Sequence, residues 1–136
     1  MGVRVPAVGV IAAVGVTLLA SSGCGGSQDD DVRAVVDRFY RAVTEKDGAA
    51  ACGLLTPRAQ DELERSAGTE CATAVLEEVP PAPGDAGEVE AFGTMAQVRL
   101  DGDTAFLARV HGGWRVDAAG CVPMRDEIFD CSVKGG

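Results

Sequence analysis

The sequence predicts an α+β domain: N-terminal helices packed on a three- to four-stranded antiparallel sheet, behind a leader segment. Three observations carry that prediction. Apolar residues from Val32 to Val43 recur at helical spacing. From Ala96 onward they alternate with polar ones, the period of a strand. A proline-rich stretch, PPAPGDAG at 80–87, separates the two regimes. Helices first and strands afterwards give a segregated layer of each kind.

The elements follow in order. Val32, Val35, Val36, Phe39 and Val43 mark one face of a first helix, which Asp47-Gly48 ends. Residues 49–55 form a short second helix burying Ala51, Leu54 and Leu55. Thr56-Pro57 restarts the helix with an N-cap hydroxyl and a proline in the first turn. That third helix turns Ala59 and Leu63 inward and stops at Gly68. Thr69 caps a fourth, running through Leu76 with Cys71 and Val75 on one face. The prolines at 80, 81 and 83 forbid a helix or a central strand. Residues 88–92 can add a strand. Ala96, Val98 and Leu100 then alternate, and Asp101-Gly102-Asp103 turns the chain. Phe106, Ala108 and Val110 alternate with Leu107 and Arg109 in the next strand. His111-Gly112-Gly113 turns again, into Trp114, Val116 and Ala118.

The 136 residues carry 21 acidic and 12 basic side chains, a net charge of −9. That balance excludes a nucleic-acid binder, which needs a basic face. One histidine rules out a multi-histidine metal site. Four cysteines for zinc would need close CxxC pairs, and none is present. No phosphate loop or nucleophile elbow occurs. No metal and no diffusible cofactor are therefore expected.

The uncharged run at 5–20, VPAVGVIAAVGVTLLA, follows Arg4 and leads into Ser21, Ser22 and Gly23. A basic start, an apolar run and a small-residue exit are the pattern of a secretory signal. The run is shorter than the roughly 20 residues of a spanning helix. Ser22-Gly23-Cys24 resembles the end of a bacterial lipoprotein signal, with Ser21 standing where leucine is usual. The resemblance implies cleavage after residue 23 and a diacylglyceryl group on Cys24, which would hold the protein on the outer face of the cell membrane. Ordinary secretion, with cleavage near Ala20 or Gly23, is the alternative. The expected organisation is a signal peptide at 1–23, a loose tether at 24–31, and one domain at 32–136. With Cys24 set aside, Cys52, Cys71, Cys121 and Cys131 remain. An even number in an exported domain reads as a disulfide framework. Four cysteines allow three pairings, and proximity favours Cys52–Cys71 with Cys121–Cys131.

The stretches VRAVVDRFYRAVTEKDGAAACGLLTP and GGWRVDAAGC resemble the nuclear transport factor 2-like (cystatin-like) superfamily, over residues 32 to 120. Asp47-Gly48 and Gly113-Trp114-Arg115-Val116 are its diagnostic steps. Exported actinobacterial lipoproteins look similar, and ten arginines against two lysines suit a GC-rich source. The resemblance implies a pocket between helix and curved sheet, where enzymes of the superfamily place a His–Asp or Tyr–Asp pair as general base. His111 and Asp117 share one hairpin, but their spacing does not indicate contact. No catalytic residue is assigned. The candidate pocket residues are Phe39, Tyr40, Phe106 and Trp114. The expectation is a membrane-anchored, non-enzymatic domain that binds a small apolar ligand or an envelope protein partner. The alternatives are a pocket enzyme of the polyketide cyclase or epoxide hydrolase kind, and a purely structural envelope interaction protein.

Overall fold

A computed structural model describes residues 2–3, 24–82 and 84–136. Most of the expected signal peptide, residues 4–23, lies outside the described residues. Four helices precede five strands: α1 (Cys24–Thr44), α2 (Gly48–Gly53), α3 (Pro57–Ala67), α4 (Cys71–Glu78), β1 (Val89–Phe92), β2 (Met95–Leu100), β3 (Asp103–Val110), β4 (Gly113–Arg125) and β5 (Ile128–Lys134). The strands pair antiparallel with their sequence neighbours, so the open sheet has the order β1-β2-β3-β4-β5. The helices cover one face of it.

The helical face of α1 is buried as its spacing demands: Val32, Val35, Val36, Phe39 and Val43 all face the core. Ala96, Val98, Ala105, Leu107, Trp114, Val116, Ala119 and Val133 meet it from the sheet. Asp47 plays a different part from the one expected. It opens α2 as N-cap, accepting a bond from the Ala50 N–H at 3.0 Å. Thr56 caps α3 as expected, with Pro57 in the first turn and Gly68 closing the helix in the left-handed conformation. The cap of α4 is Glu70 rather than Thr69, and its side chain makes no capping bond.

A parallel bridge stitches the two layers together. Thr56 N–H donates to the Val116 carbonyl at 2.8 Å, and Val116 N–H to the Leu54 carbonyl at 2.9 Å. The Thr56 hydroxyl also donates to Asp117 Oδ1 at 2.6 Å. Arg33 and Asp37 of α1 hold the connecting segment through the Gly87 carbonyl and the Ala86 N–H.

Three sequence expectations are corrected. Residues 24–31 are not a loose tether but the start of α1. Extending a helix from a packed segment is far cheaper than nucleating one, and Asp30 pairs with Arg33 one turn on. The sheet has five strands, because the tail 128–134 pairs with a β4 that runs on through Pro123. Phe106 does not line a helix-side pocket: Ala105 and Leu107 of β3 face the core, and Phe106 faces the other way. A register shift against β4 on either side of Phe106 accompanies this.

The disulfides are Cys52–Cys71 and Cys121–Cys131. The first ties α2 to α4, and the second joins β4 to β5 across a directly paired position. Two disulfides point to an oxidising, extracytoplasmic compartment. Among the described residues no helix is long and apolar enough to cross a membrane.

Candidate functional site

The four candidate pocket residues do not share a cavity. Phe39 is fully buried in the core, edge-on to Tyr40 with ring centroids 5.2 Å apart. Phe106 lies on the uncovered face of the sheet and packs edge-on against Phe129 at 5.0 Å. Trp114 is buried under α1, with the Arg109 guanidinium 4.9 Å from its ring centroid. The centre of the helix–sheet interface is packed with the protein's own side chains, and clefts open along the edges of α1.

Tyr40 is the most constrained of the four. Its hydroxyl donates to Asp103 Oδ2 and accepts from the Gly120 N–H at 3.4 Å. Asp103 Oδ1 accepts from the Thr104 and Cys121 N–H groups at 2.6 and 2.7 Å. The carboxylate therefore has three donors, and it links α1 to β3 and to β4 beside a disulfide. Burial pushes the Tyr40 phenol well above its ordinary value of 10.0, and the hydrogen bond and negative charge of Asp103 push it further the same way. A phenol held neutral, with its proton committed to a carboxylate, is a brace rather than a base.

Asp103 was legible only as part of a turn. Its position two residues before Ala105 and four before Leu107 puts it on the inward face, which the alternation of Phe106, Ala108 and Val110 does not reveal. His111 is exposed, and the Asp117 carboxylate bonds Thr56 instead. Beside Tyr40 lies a polar cleft of about 310 Å³, walled by Asp37, Arg41, Thr44, Asp85 and Leu100. Its walls do not suit an apolar ligand.

Apolar surface is concentrated elsewhere. Phe92, Met95, Phe106, Ala108, Val110 and Phe129 occupy the uncovered face of the sheet. Phe92 is 71% exposed. The outer end of the β4–β5 hairpin adds Met124 and Ile128, 62% and 61% exposed. Glu90, Arg99 and Glu127 line the depression around Phe106. Among the described residues no group of three or more His, Cys, Asp or Glu side chains is arranged to hold a metal ion. No family model matches the chain, and no curated protein or solved structure matches it.

Proposed function

We propose that this protein is an exported lipoprotein, anchored through a diacylglyceryl group on Cys24, whose small α+β domain docks an envelope protein. The observation that carries the reading is the uncovered sheet face with its cluster of aromatic and aliphatic side chains. Large exposed apolar patches mark interaction surfaces. The charge around this one favours a protein over the bilayer. Glu90 and Glu127 outnumber Arg99 around it and the whole chain is at −9, so an anionic membrane surface would repel this face. The filled helix–sheet interior speaks against the apolar-ligand arm. The engaged Tyr40–Asp103 pair removes the most natural acid–base apparatus from the enzyme alternative. The nuclear transport factor 2-like reading stays part of the proposal. It draws support from the helices-first order, from Asp47-Gly48 at the α1–α2 junction, and from Trp114 and Val116 facing the helices.

The test is photo-crosslinking in intact cells. A crosslinker at position 92 and one at position 129 should both give the same discrete protein adduct. A crosslinker at the exposed Glu45, beside α1 and α2, should not. Adducts of equal yield from both faces, or none from the sheet face, would overturn the docking surface. The anchor is checked separately: mass spectrometry of the membrane fraction should find Cys24 lipidated, and an unmodified mature chain beginning near Ser21 would remove that part of the proposal.

A further inference from the structure

Four of the ten arginines have partners elsewhere on the surface. Arg33, Arg65 and Arg99 pair with carboxylates, and Arg58 binds the carbonyls of Gly135 and Gly136. Three others converge on one cavity. Arg38 of α1, Arg109 at the end of β3 and Arg115 of β4 line a space of about 300 Å³ with Asp31, Ala34, Val35, Gly112, Gly113 and Trp114. None of the three has a carboxylate oxygen within 4.0 Å among the described residues, although the chain holds 21 acidic side chains against 12 basic.

Each guanidinium is positioned by a contact that leaves other N–H groups over. Arg38 Nε donates to the Ala34 carbonyl at 3.2 Å. Arg115 Nη1 donates to the Trp114 carbonyl at 3.0 Å. Arg109 stacks on the Trp114 ring. Trp114 contributes one more oddity: its Nε1 is buried with no hydrogen-bond partner, and a buried donor is seldom left so. Three cations against one carboxylate, Asp31, leave the cavity two positive charges in excess.

We infer that this cavity binds a phosphate group. The guanidinium fork matches phosphate oxygens in pairs. A phosphate monoester carries about −1.5 to −2 at neutral pH, which fits the excess. Ala34, Val35 and the indole can take a short apolar portion attached to it. The group has two conceivable sources. Asp31 lies seven residues after Cys24 on the same helix, about 10 Å at 1.5 Å per residue. On the lipid-anchor reading the cavity is therefore within reach of lipid headgroups; a soluble phosphate ester needs no anchor at all. The inference itself does not depend on the docking face.

The test uses the full chain and two probes. Inorganic phosphate is titrated by calorimetry at constant ionic strength, with chloride as comparator. Vesicles of phosphatidylcholine, with and without phosphatidic acid, are tested by flotation. Wild type should bind at least one probe, and Arg109→Gln and Arg115→Gln should each weaken that binding about ten-fold or more. Arg65→Gln, on the far surface of α3, should leave it unchanged. Binding to free phosphate assigns a soluble ester; binding confined to phosphatidic acid vesicles assigns the headgroup. No binding of either probe, or binding that survives both arginine substitutions, overturns the inference. Urea midpoints of the variants establish that they are folded.

Discussion

Tyr40 is the only tyrosine and Trp114 the only tryptophan in the chain. The Tyr40–Asp103 brace can therefore be read with two intrinsic probes. Native Tyr40 keeps its proton above its ordinary value of 10.0 because ionisation would place a phenolate in a buried site beside a carboxylate. In the unfolded chain it ionises at the ordinary value. Above that value the native state holds one more proton than the unfolded state, so stability must fall as pH rises. Below it both states are protonated and this contribution is constant. The loss should reach about 1.4 kcal/mol at about pH 11, and then grow by a similar amount per further pH unit.

Tyr40→Phe removes the titrating group together with a hydrogen bond to a charged acceptor, and should cost about 2 kcal/mol at neutral pH. The assay is urea unfolding followed by Trp114 fluorescence, at about pH 9 and about pH 11, for both proteins. The wild type should lose stability across that interval by about 1.4 kcal/mol more than the variant does. Tyrosinate absorbance should rise only as the protein unfolds. Two results would refute the reasoning: tyrosinate forming at its ordinary pH while the fold stays native, or an equal alkaline loss in Tyr40→Phe.

Three further outcomes are expected. Replacing Cys52 and Cys71 together by alanine should cost about 3 kcal/mol, since the bond closes a loop with a sequence separation of 19; urea midpoints of the oxidised parent and the variant measure it. Gly48→Ala should destabilise by about 3 kcal/mol, because a Cβ there would lie 1.9 Å from the Ala72 carbonyl oxygen. Gly53→Ala, with nothing within 4 Å of its Cβ, should be neutral or slightly stabilising, and thermal unfolding of the pair reads the difference. Thr56→Ala should lose about 2 kcal/mol by removing both the α3 cap and the Asp117 partner. Thr56→Ser keeps the hydroxyl and should recover most of that loss in the same melt.

The helical half was legible because its signals are local. The valine spacing of α1, Thr56-Pro57 and Gly68 act within a few residues of themselves. The cysteine pairs were legible for the same reason, each being made with the next cysteine along. What escaped depends on partners distant in sequence. Asp103 is defined by Tyr40, 63 positions away, and within its own turn nothing distinguishes it from Asp101. The phase of β3 depends on an irregularity in its pairing with β4, which a strict alternation of Phe106, Ala108 and Val110 cannot express. Strand β5 was missed because its turn, Asp126-Glu127, contains no glycine to mark it, although Phe129, Cys131 and Val133 alternate with polar residues. The convergence of Arg38, Arg109 and Arg115 joins a helix to a hairpin some seventy positions later.

Each disulfide joins consecutive cysteines, one bond wholly among the helices and one wholly within the sheet. A chain crossing a membrane N-terminus first would present each thiol just before its proper partner, and oxidation in order of arrival would give the native pairs without reshuffling. Only Cys24 breaks that sequence, because it would arrive first and compete for Cys52. A thioether-linked lipid at Cys24 takes that thiol out of the competition. On the lipoprotein reading, the modification that retains the protein at the membrane also guards the fidelity of its oxidation. A Cys24→Ser protein should then oxidise cleanly, while an unlipidated chain that keeps Cys24 should accumulate mispaired forms.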